Sequence, residues 1–323
     1  MGNHTSMHNP PITLLMPILN GMPFLPSALA SIEAQDYKNW KIMVWDNGST
    51  DGSLKELCRW IPSRLPGRII TGSPLSVGLS SARLVEQADT ELCARMDADD
   101  VIYPERLRLQ VDFMERHPSV AVVGTRIEFI DEAGCFWPHA DPYPTTDAEI
   151  RWELRWGVPI AGASVMFRRS AVLKSGNYRD LRIGEDYDLW FRVGLISEMA
   201  NLPGVLYQYR QHSKNATAQA DFPFYRRAVA ELNASSLFPG LPPEEALRVR
   251  QIAIRDTHLP VQFADLRVYR RAAIRAALSL GKPVAYFLST RSCKQHFREL
   301  LRNYLLQFRA VRAAVALKRQ VHI

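Results

Sequence analysis

The chain has 323 residues, of which 47% are hydrophobic and 23% charged, an ordinary composition for a globular protein of one large domain or one domain with an appendage. Charge is uneven, because residues 241–323 hold 16 Lys and Arg against 5 Asp and Glu, a net of +11, which leaves −4 for residues 1–240. No apolar stretch approaches the roughly 20 residues that span a bilayer, which disfavours a transmembrane protein.

The first half of the chain alternates strand-like and helix-like segments. Apolar runs predict strands at 12–18, 40–45, 68–71, 92–96 and 120–124. Helical spacing of apolar residues lies between them, at 23–35, 53–60, 78–87 and 105–116. This β-α succession predicts an α/β fold with a mostly parallel sheet flanked by helices, whose ligand site lies beyond the carboxyl ends of the strands.

The last part of the chain has a different pattern. From about residue 222 the apolar residues follow helical spacing, most regularly in Phe297–Arg319. We therefore expect a catalytic domain at 1–220 and a helical, basic extension at 221–323.

Cellular location is suggested by the N-terminus and by the cysteines. The run Ile12–Leu19 is too short and too strand-like for a signal peptide. The cysteines are scattered without metal-ligand spacing, at Cys58, Cys93, Cys135 and Cys293. We expect reduced thiols in a cytoplasmic protein, with peripheral attachment to the inner face of the plasma membrane as an option.

Asp97-Ala98-Asp99-Asp100 is the most informative stretch, because three carboxylates directly follow an apolar strand. Carboxylate oxygens suit Mg²⁺ or Mn²⁺, which share their remaining coordination with substrate phosphates. The alternative is an acidic turn in which Asp99 or Asp100 caps the helix that starts near Pro104.

Two more polar clusters stand at the ends of predicted elements. Asp46-Asn47-Gly48-Ser49 follows the second strand and indicates a turn with a helix cap in Ser49–Asp51. Asp46 and Asn47 can contact the base or ribose of a nucleotide at the same time, so the two interpretations do not compete. Gly184-Glu185-Asp186 opens an apolar helix, so Asp186 is either part of an acidic helix start or a general base.

A third candidate group is Tyr207-Gln208-Tyr209-Arg210-Gln211-His212. Arg210 could neutralise a diphosphate, and His212 could complete a metal site. The alternative for His212 is a structural role.

Together these motifs resemble family 2 glycosyltransferases with the GT-A fold. The matching segments occur in the family's order across roughly residues 10–215 and read "ITLLMPILNG", "WKIMVWDNGSTDGS", "GLSSAR", "ARMDADDVIYPERLRLQ", "GASVMF" and "GEDYDLWFRV…YRQH". The resemblance implies transfer of a sugar from a nucleoside-diphosphate-sugar donor to a glycan or lipid-linked acceptor in cell-surface polysaccharide synthesis.

The resemblance also implies roles by position. The residues that would bind the nucleotide-sugar are Pro17, Leu19, Asp46, Asn47, Arg83 and Asp97, to which the motif at 207–212 adds Arg210. Asp99 and Asp97 would hold Mg²⁺ or Mn²⁺ as the cofactor, and the same motif adds His212 as a candidate ligand. Asp186 would deprotonate the acceptor hydroxyl, and attack on the anomeric carbon would invert its configuration.

Three departures from the family pattern matter. Leu19 stands where many members have an aromatic residue, so apolar contact would replace stacking on the base. Asn47 stands where many have a second aspartate, and its oxygen could accept from a pyrimidine N–H, which leaves UDP- and dTDP-sugars open. The Gln-x-x-Arg-Trp pattern of processive synthases is absent, since the chain reads Leu189-Trp190-Phe191-Arg192, so we expect transfer of a single sugar.

The basic helical extension suggests an anionic membrane surface as a partner. The alternative is a helical subdomain that packs through its apolar stripe while its basic face is solvated. Nucleic acid is a poorer explanation, because the chain has no recognised binding motif.

Two other functions compete with glycosyl transfer. A sugar nucleotidyltransferase would need a Gly-rich, basic loop after the first strand, and Asn20-Gly21-Met22-Pro23 lacks one. A non-catalytic nucleotide-sugar or membrane-binding protein predicts loss of the carboxylates, yet Asp97, Asp99 and Asp186 are present.

Overall fold

The computed structural model describes residues 9–137, 143–181, 183–215, 231–238, 240–253, 263–280 and 298. The chain divides into two compact units, Met1–Ile150 with Val158–Gln219 and Arg151–Gly157 with Ala220–Ile323. The short segment Arg151–Gly157 therefore groups with the C-terminal unit, a feature that no sequence pattern indicated.

The first unit opens with alternating strands and helices. Its elements in chain order are β1 (Ile12–Ile18), α1 (Leu25–Glu33), β2 (Trp40–Asp46), α2 (Ser53–Trp60), β3 (Gly67–Thr71), α3 (Val77–Gln87) and β4 (Leu92–Arg95). The four strands pair in parallel in the order β3-β2-β1-β4. Parallel pairing follows from the helix that intervenes between each pair of strands.

The rest of this unit supplies shorter strands and one long one. Its elements are β5 (Val101–Ile102), α4 (Arg106–Arg116), β6 (Val120–Ile130), β7 (Phe136–Trp137), α5 (Asp147–Glu153, whose last residues belong to the second unit), a 3₁₀ turn (Gly162–Ser164), β8 (Met166–Arg168), α6 (Arg169–Lys174), α7 (Glu185–Gly194) and β9 (Glu198–Arg210).

These later strands make the sheet mixed. The order continues as β4-β8-β6-β9-β5, with β7 beside β6. β8 is antiparallel to both β4 and β6, and β5 is antiparallel to β9, whereas β6 and β9 run parallel. The predicted strand at 120–124 is longer than expected, since β6 extends to Ile130 along β9.

The core lies between the sheet and its helices. In β1 the side chains of Ile12, Leu14 and Met16 are fully buried, and α1 lays Leu25 and Leu29 against the same cluster. Burying each such side chain contributes about 1.5–3 kcal/mol. Because both faces of β1 are covered, the strand reads as a continuous apolar run rather than an alternating one.

Register aligns the ends of the strands that carry the polar clusters. Ile18 pairs with Asp46, and Asp46 pairs with Thr71, so β1, β2 and β3 end at one level. Arg95, the last residue of β4, pairs with Leu15. The tetrapeptide Asp97–Asp100 therefore emerges at the same edge of the sheet as the loops after β1 and β2.

The second unit is helical in its described part. It contains α8 (Ala234–Leu237), α9 (Pro243–Ala253) and α10 (Phe263–Ser279). Trp156 packs against Trp152, Phe238 and Tyr269 with ring centroids 5.2–5.8 Å apart. The helical pattern predicted for 297–319 lies outside the described residues, apart from Arg298.

No helix in the described ranges is both long enough and apolar enough to cross a membrane.

Candidate active site

The loops after β1 and β2 are joined by hydrogen bonds. Asn20 donates its backbone N–H to Ser49 Oγ at 2.9 Å, and Thr50 N donates to Asn20 Oδ1 at 2.8 Å. Asp51 Oδ1 accepts from Ser53 N at 3.0 Å. Ser49 and Thr50 do not cap α2, because Ser49 bonds the neighbouring loop; within the expected Ser49–Asp51 segment it is Asp51 that bonds the start of α2. The two loops form one rigid wall of the site.

The residues expected along the base lie on this wall. Leu19 follows β1 with 58% of its surface exposed, and Pro17 is partly exposed on β1. Asp46 is buried at the end of β2, where Oδ1 accepts from Ser49 N at 3.2 Å. An exposed leucine beside buried polar groups is suited to apolar contact with the flat face of a base.

Asn47 differs from the expectation in its hydrogen bonds. Its Oδ1 accepts from Trp45 Nε1 and from Leu75 N, each at 3.1 Å. An amide oxygen has two lone pairs, and both are engaged. Asn47 therefore cannot offer that oxygen to a pyrimidine N–H, and its amide N–H groups are what it can present to a ligand.

Asp97 is held by an arginine that the sequence reading missed. Arg95 Nη2 donates to Asp97 Oδ1 at 3.1 Å, while Arg95 Nη1 donates to Ser81 Oγ of α3 at 2.7 Å. The Asp97 side chain is 33% exposed, whereas the Arg95 side chain is 7% exposed. The Asp97 carboxylate is therefore accessible to solvent while the arginine that holds it is buried.

Asp99 lies beside His212 and Asn215. Its Oδ2 is 3.0 Å from His212 Nε2 and accepts from Asn215 Nδ2 at 3.3 Å. Lys214 N donates to His212 Nδ1, which leaves Nε2 as the ring nitrogen that donates to Asp99. Burial, then the charge of Asp97, raises the pKa of Asp99.

Asp100 turns away from the site. It is fully buried, with Oδ1 accepting from Arg210 N and Oδ2 from the Tyr207 hydroxyl, each at 2.7 Å. Burial, followed by the charges of Asp99 and Asp97, raises the pKa of Asp100 well above its ordinary value. Neither Asp99 nor Asp100 caps α4, whose N-cap Glu105 has no side-chain cap bond. The capping part of the acidic-turn alternative is therefore wrong, although residues 98–99 do form a turn.

The buried side chain of Arg210 joins separate segments of the chain by hydrogen bonds. Its Nε donates to the carbonyl oxygen of Asp99 at 2.8 Å, and Nη1 donates to the carbonyl oxygen of Asp131 at 2.9 Å. Its guanidinium carbon lies 5.0 Å from the ring centroid of Phe24. These contacts fix the Asp99 backbone against β9 and the turn after β6. A direct bond to a diphosphate stays a prediction for this residue.

Arg83 lies apart from this network. It is exposed on α3 and pairs with Glu86 at 2.9 Å. None of its described contacts reaches Asp97 or Asp99, so its predicted role toward the diphosphate has no geometric support.

Asp186 lies in the first turn of α7, which begins after Gly184 in the left-handed conformation. Its Oδ1 accepts from Tyr187 N at 2.7 Å, and a side chain at Gly162 would collide with its Oδ2. Burial raises the pKa of Asp186; the Tyr187 N–H bond and the charge of Arg95 lower it, and the charge of Asp97 adds to the rise. Asp186 therefore lies against the 3₁₀ turn that leads into β8, the strand beside β4.

Glu185 interacts with the same charged groups as Asp186, although the sequence motif did not indicate it as a site residue. Burial, then the charge of Asp186, raises the pKa of Glu185 to about 8. Arg95 opposes both effects. The sequence did hold one signal for Arg95, since a charged residue inside an apolar strand run requires a partner.

The donor set suits a divalent cation that is shared with a substrate. Within the described residues no three His, Cys, Asp or Glu side chains are grouped to hold a metal ion by themselves. Asp99 Oδ2 and His212 Nε2 lie 3.0 Å apart as a hydrogen-bonded pair, so Asp99 is the carboxylate that can take a cation here, and His212 can join it only when its proton has left Nε2. One or two protein ligands with phosphate oxygens are the usual set for Mg²⁺.

Comparison with known proteins identifies the family pattern. The profile of glycosyl transferase family 2 matches residues 13–176. The amylovoran biosynthesis glycosyltransferase AmsE of Erwinia amylovora is 32% identical over 193 residues, which cover 58% of this chain and 71% of AmsE.

Two solved structures share the fold. S. aureus TarS 1–349, in complex with UDP-GlcNAc, matches with a TM-score of 0.61 and 16% identity over 92% of each chain. The mannosyltransferase PcManGT from Pyrobaculum calidifontis, in complex with GDP-Man and Mn²⁺, matches with a TM-score of 0.54 and 19% identity, over 96% of this chain and 87% of PcManGT. The expected GT-A architecture with a helical C-terminal part is confirmed.

Proposed function

This chain belongs to glycosyl transferase family 2, and we propose that it is an inverting, metal-dependent, non-processive enzyme that moves one sugar from a nucleoside-diphosphate-sugar to an acceptor hydroxyl. The observation that supports this proposal is the packing of Asp186 beside the strand that leads to Asp97 and Asp99. The Asp186 side chain lies against Gly162, in the 3₁₀ turn before β8, and β8 pairs with β4, which Asp97 and Asp99 follow.

Each carboxylate has a separate task in this proposal. Asp99 and His212, with Asp97 beside them, would hold a divalent cation with the diphosphate of the donor. Bound there, the cation would supply Lewis-acid stabilisation of the leaving nucleoside diphosphate. The rigid wall of the β1 and β2 loops would receive the base, with Leu19 against its face and Asp46 and Asn47 at its polar edge.

Asp186 is the proposed general base. Its carboxylate would take the proton of the acceptor hydroxyl while the hydroxyl oxygen forms a bond to the anomeric carbon. The bond from that carbon to the diphosphate oxygen breaks on the opposite face, so the configuration inverts. A pKa raised by burial brings a carboxylate closer to working pH, which favours proton transfer.

We propose a UDP- or dTDP-sugar as donor and a glycan or lipid-linked acceptor in cell-surface polysaccharide synthesis. The name of AmsE supports a role in polysaccharide synthesis, and the UDP-GlcNAc complex of TarS supports a UDP-sugar as donor. The GDP-Man complex of PcManGT is the reason to include GDP-sugars in the assay. Transfer of a single sugar fits the absence of the processive pattern after Asp186.

The second unit could bring the enzyme to its acceptor. On α10 the side chains of Arg267, Arg270 and Arg271 are exposed, and with Ile274 they line a cavity of about 520 Å³. We propose that this basic face contacts an anionic membrane surface, with the enzyme in the cytoplasm.

The test of the proposed function is a transfer assay. The protein is incubated with UDP-, dTDP- or GDP-sugars, Mn²⁺ and a lipid-linked acceptor, and release of nucleoside diphosphate is followed with product formation. Acceptor-dependent release that is lost in Asp186→Asn supports the proposal. Nucleotide binding without any transfer would favour the non-catalytic alternative, and pyrophosphate-dependent nucleotide exchange would favour the nucleotidyltransferase.

A further inference from the structure

Arg95 is tied to two different elements. It ends β4, and its side chain is 7% exposed. Nη1 donates to Ser81 Oγ at 2.7 Å, and Ser81 Oγ in turn donates to the carbonyl oxygen of Val77 in α3. Nη2 donates to Asp97 Oδ1 at 3.1 Å. The guanidinium therefore cannot shift without releasing either the α3 anchor or the Asp97 carboxylate.

The groups that interact with Arg95 are mostly acidic. Asp97 is hydrogen-bonded to it, the Tyr178 ring centroid lies 5.9 Å from the guanidinium carbon, and the charge of Arg95 also acts on Glu185 and Asp186 at the start of α7. Asp188 of α7 does not compete for Arg95, because Arg179 at 3.1 Å and Arg192 at 2.7 Å already pair with it. Arg95 thus supplies positive charge to carboxylates from two elements.

We propose that Arg95 is a positioning residue for sugar transfer, whose guanidinium fixes the Asp97 carboxylate toward the nucleotide and offsets the negative charge around the base Asp186. This inference rests on the proposed function. It adds a residue that touches neither donor nor acceptor but sets the geometry and the charge of two groups that do.

Two substitutions separate charge from geometry. Arg95→Met removes both, whereas Arg95→Lys keeps the charge and loses the paired hydrogen bonds to Ser81 and Asp97. We expect kcat/KM for the donor to fall at least about tenfold in both variants, because Asp97 is no longer held. The exposed Arg59 of α2, changed to Met, is the matched control and keeps wild-type kinetics.

The pH profile of kcat distinguishes this role from a merely structural one. In Arg95→Met the loss of a nearby positive charge raises the pKa of Asp186, so the acidic limb moves upward by about 1 pH unit. In Arg95→Lys the limb stays within a few tenths of a unit of wild type. A lower kcat in Arg95→Met with an unmoved limb would overturn the charge part of the proposal.

Nucleotide binding gives a readout that does not depend on turnover. UDP affinity with Mn²⁺, measured calorimetrically on variants whose thermal unfolding shows a folded protein, should fall about tenfold in Arg95→Met. Unchanged affinity would overturn the positioning of Asp97. A wild-type protein that binds UDP but transfers no sugar would refute the proposed function, and Arg95 is then judged by this binding measurement alone.

Discussion

The hydroxyl of Tyr207 donates a 2.7 Å hydrogen bond to Oδ2 of Asp100, and this bond separates the third carboxylate of the tetrapeptide from the first two. Asp100 also accepts the backbone N–H of Arg210, so it joins β9 to the loop after β4. Asp97 and Asp99 remain partly exposed as a result. The buried Asp100 thus has a structural role, and it leaves Asp97 and Asp99 at the surface where the proposed ligand binds.

The Tyr207–Asp100 bond predicts a stability effect. Tyr207→Phe leaves a buried carboxylate oxygen without its donor, so the free energy of unfolding should fall by about 1–3 kcal/mol. Urea denaturation followed by circular dichroism measures it. Tyr37→Phe, which removes a hydroxyl bonded to the carbonyl oxygen of Pro10 just before β1, serves as a comparison of a bond to a neutral acceptor. Wild-type stability in Tyr207→Phe would show that Asp100 does not depend on this bond.

Asp186 and its neighbour Glu185 offer a matched pair for testing the base. Asp186→Asn should lower kcat by about 10²–10⁴-fold while UDP affinity stays near that of wild type, because only proton transfer is lost. Glu185→Gln should cost far less. Steady-state kinetics on both variants measure the difference, and equal losses in the two would contradict the assignment of the base to Asp186.

Glu185 also predicts a pH dependence of stability. Its pKa is about 8 in the folded protein against 4.5 ordinarily, so the folded state binds its proton more tightly than the unfolded state does. The stabilisation that comes from proton binding by Glu185 is fully present below about pH 4.5 and is lost as pH rises through about 8. Glu185→Gln should therefore be more stable than wild type at pH 9, relative to their difference at pH 4. A pH-independent difference in free energy of unfolding would show that Glu185 has no raised pKa.

The basic face of α10 predicts membrane binding that depends on lipid charge. Changing Arg267, Arg270 and Arg271 together to Gln should weaken binding to vesicles of phosphatidylglycerol and phosphatidylcholine by about two orders of magnitude, since each arginine near an anionic surface contributes about 1 kcal/mol. Vesicle co-sedimentation measures it at two salt concentrations. Equal binding of wild type to pure phosphatidylcholine vesicles would contradict an electrostatic contact.

The parallel half of the sheet could be predicted from sequence almost residue by residue. The runs at 12–18 and 53–60 are β1 and α2 themselves, because both faces of β1 are buried and α2 has a clear apolar stripe. Of the later strands only β6 was predicted, and β5, β7, β8 and β9 were not. β8 has three residues, and its place between β4 and β6 depends on long-range pairing that no local pattern records.

The site could be predicted only in part for a similar reason. Runs of carboxylates at element ends identified Asp97, Asp99 and Asp186 as candidates. Their partners are distant in sequence: Tyr207 lies 107 residues from Asp100, and Asn215 lies 116 from Asp99. Arg83 was singled out by its motif, yet the structure brings Arg95 to Asp97 instead.

A thermal-shift measurement against UDP, dTDP, GDP and CDP, each with and without Mn²⁺, tests the proposed metal–diphosphate site most directly. Ligands that bind the folded state raise the melting temperature by mass action. We expect one nucleotide to raise it in wild type only when Mn²⁺ is present, and Asp99→Asn to abolish that rise while Asp112→Asn, an exposed carboxylate of α4, retains it. No shift with any nucleotide, or an equal shift in Asp99→Asn, would contradict a metal–diphosphate site at Asp97 and Asp99.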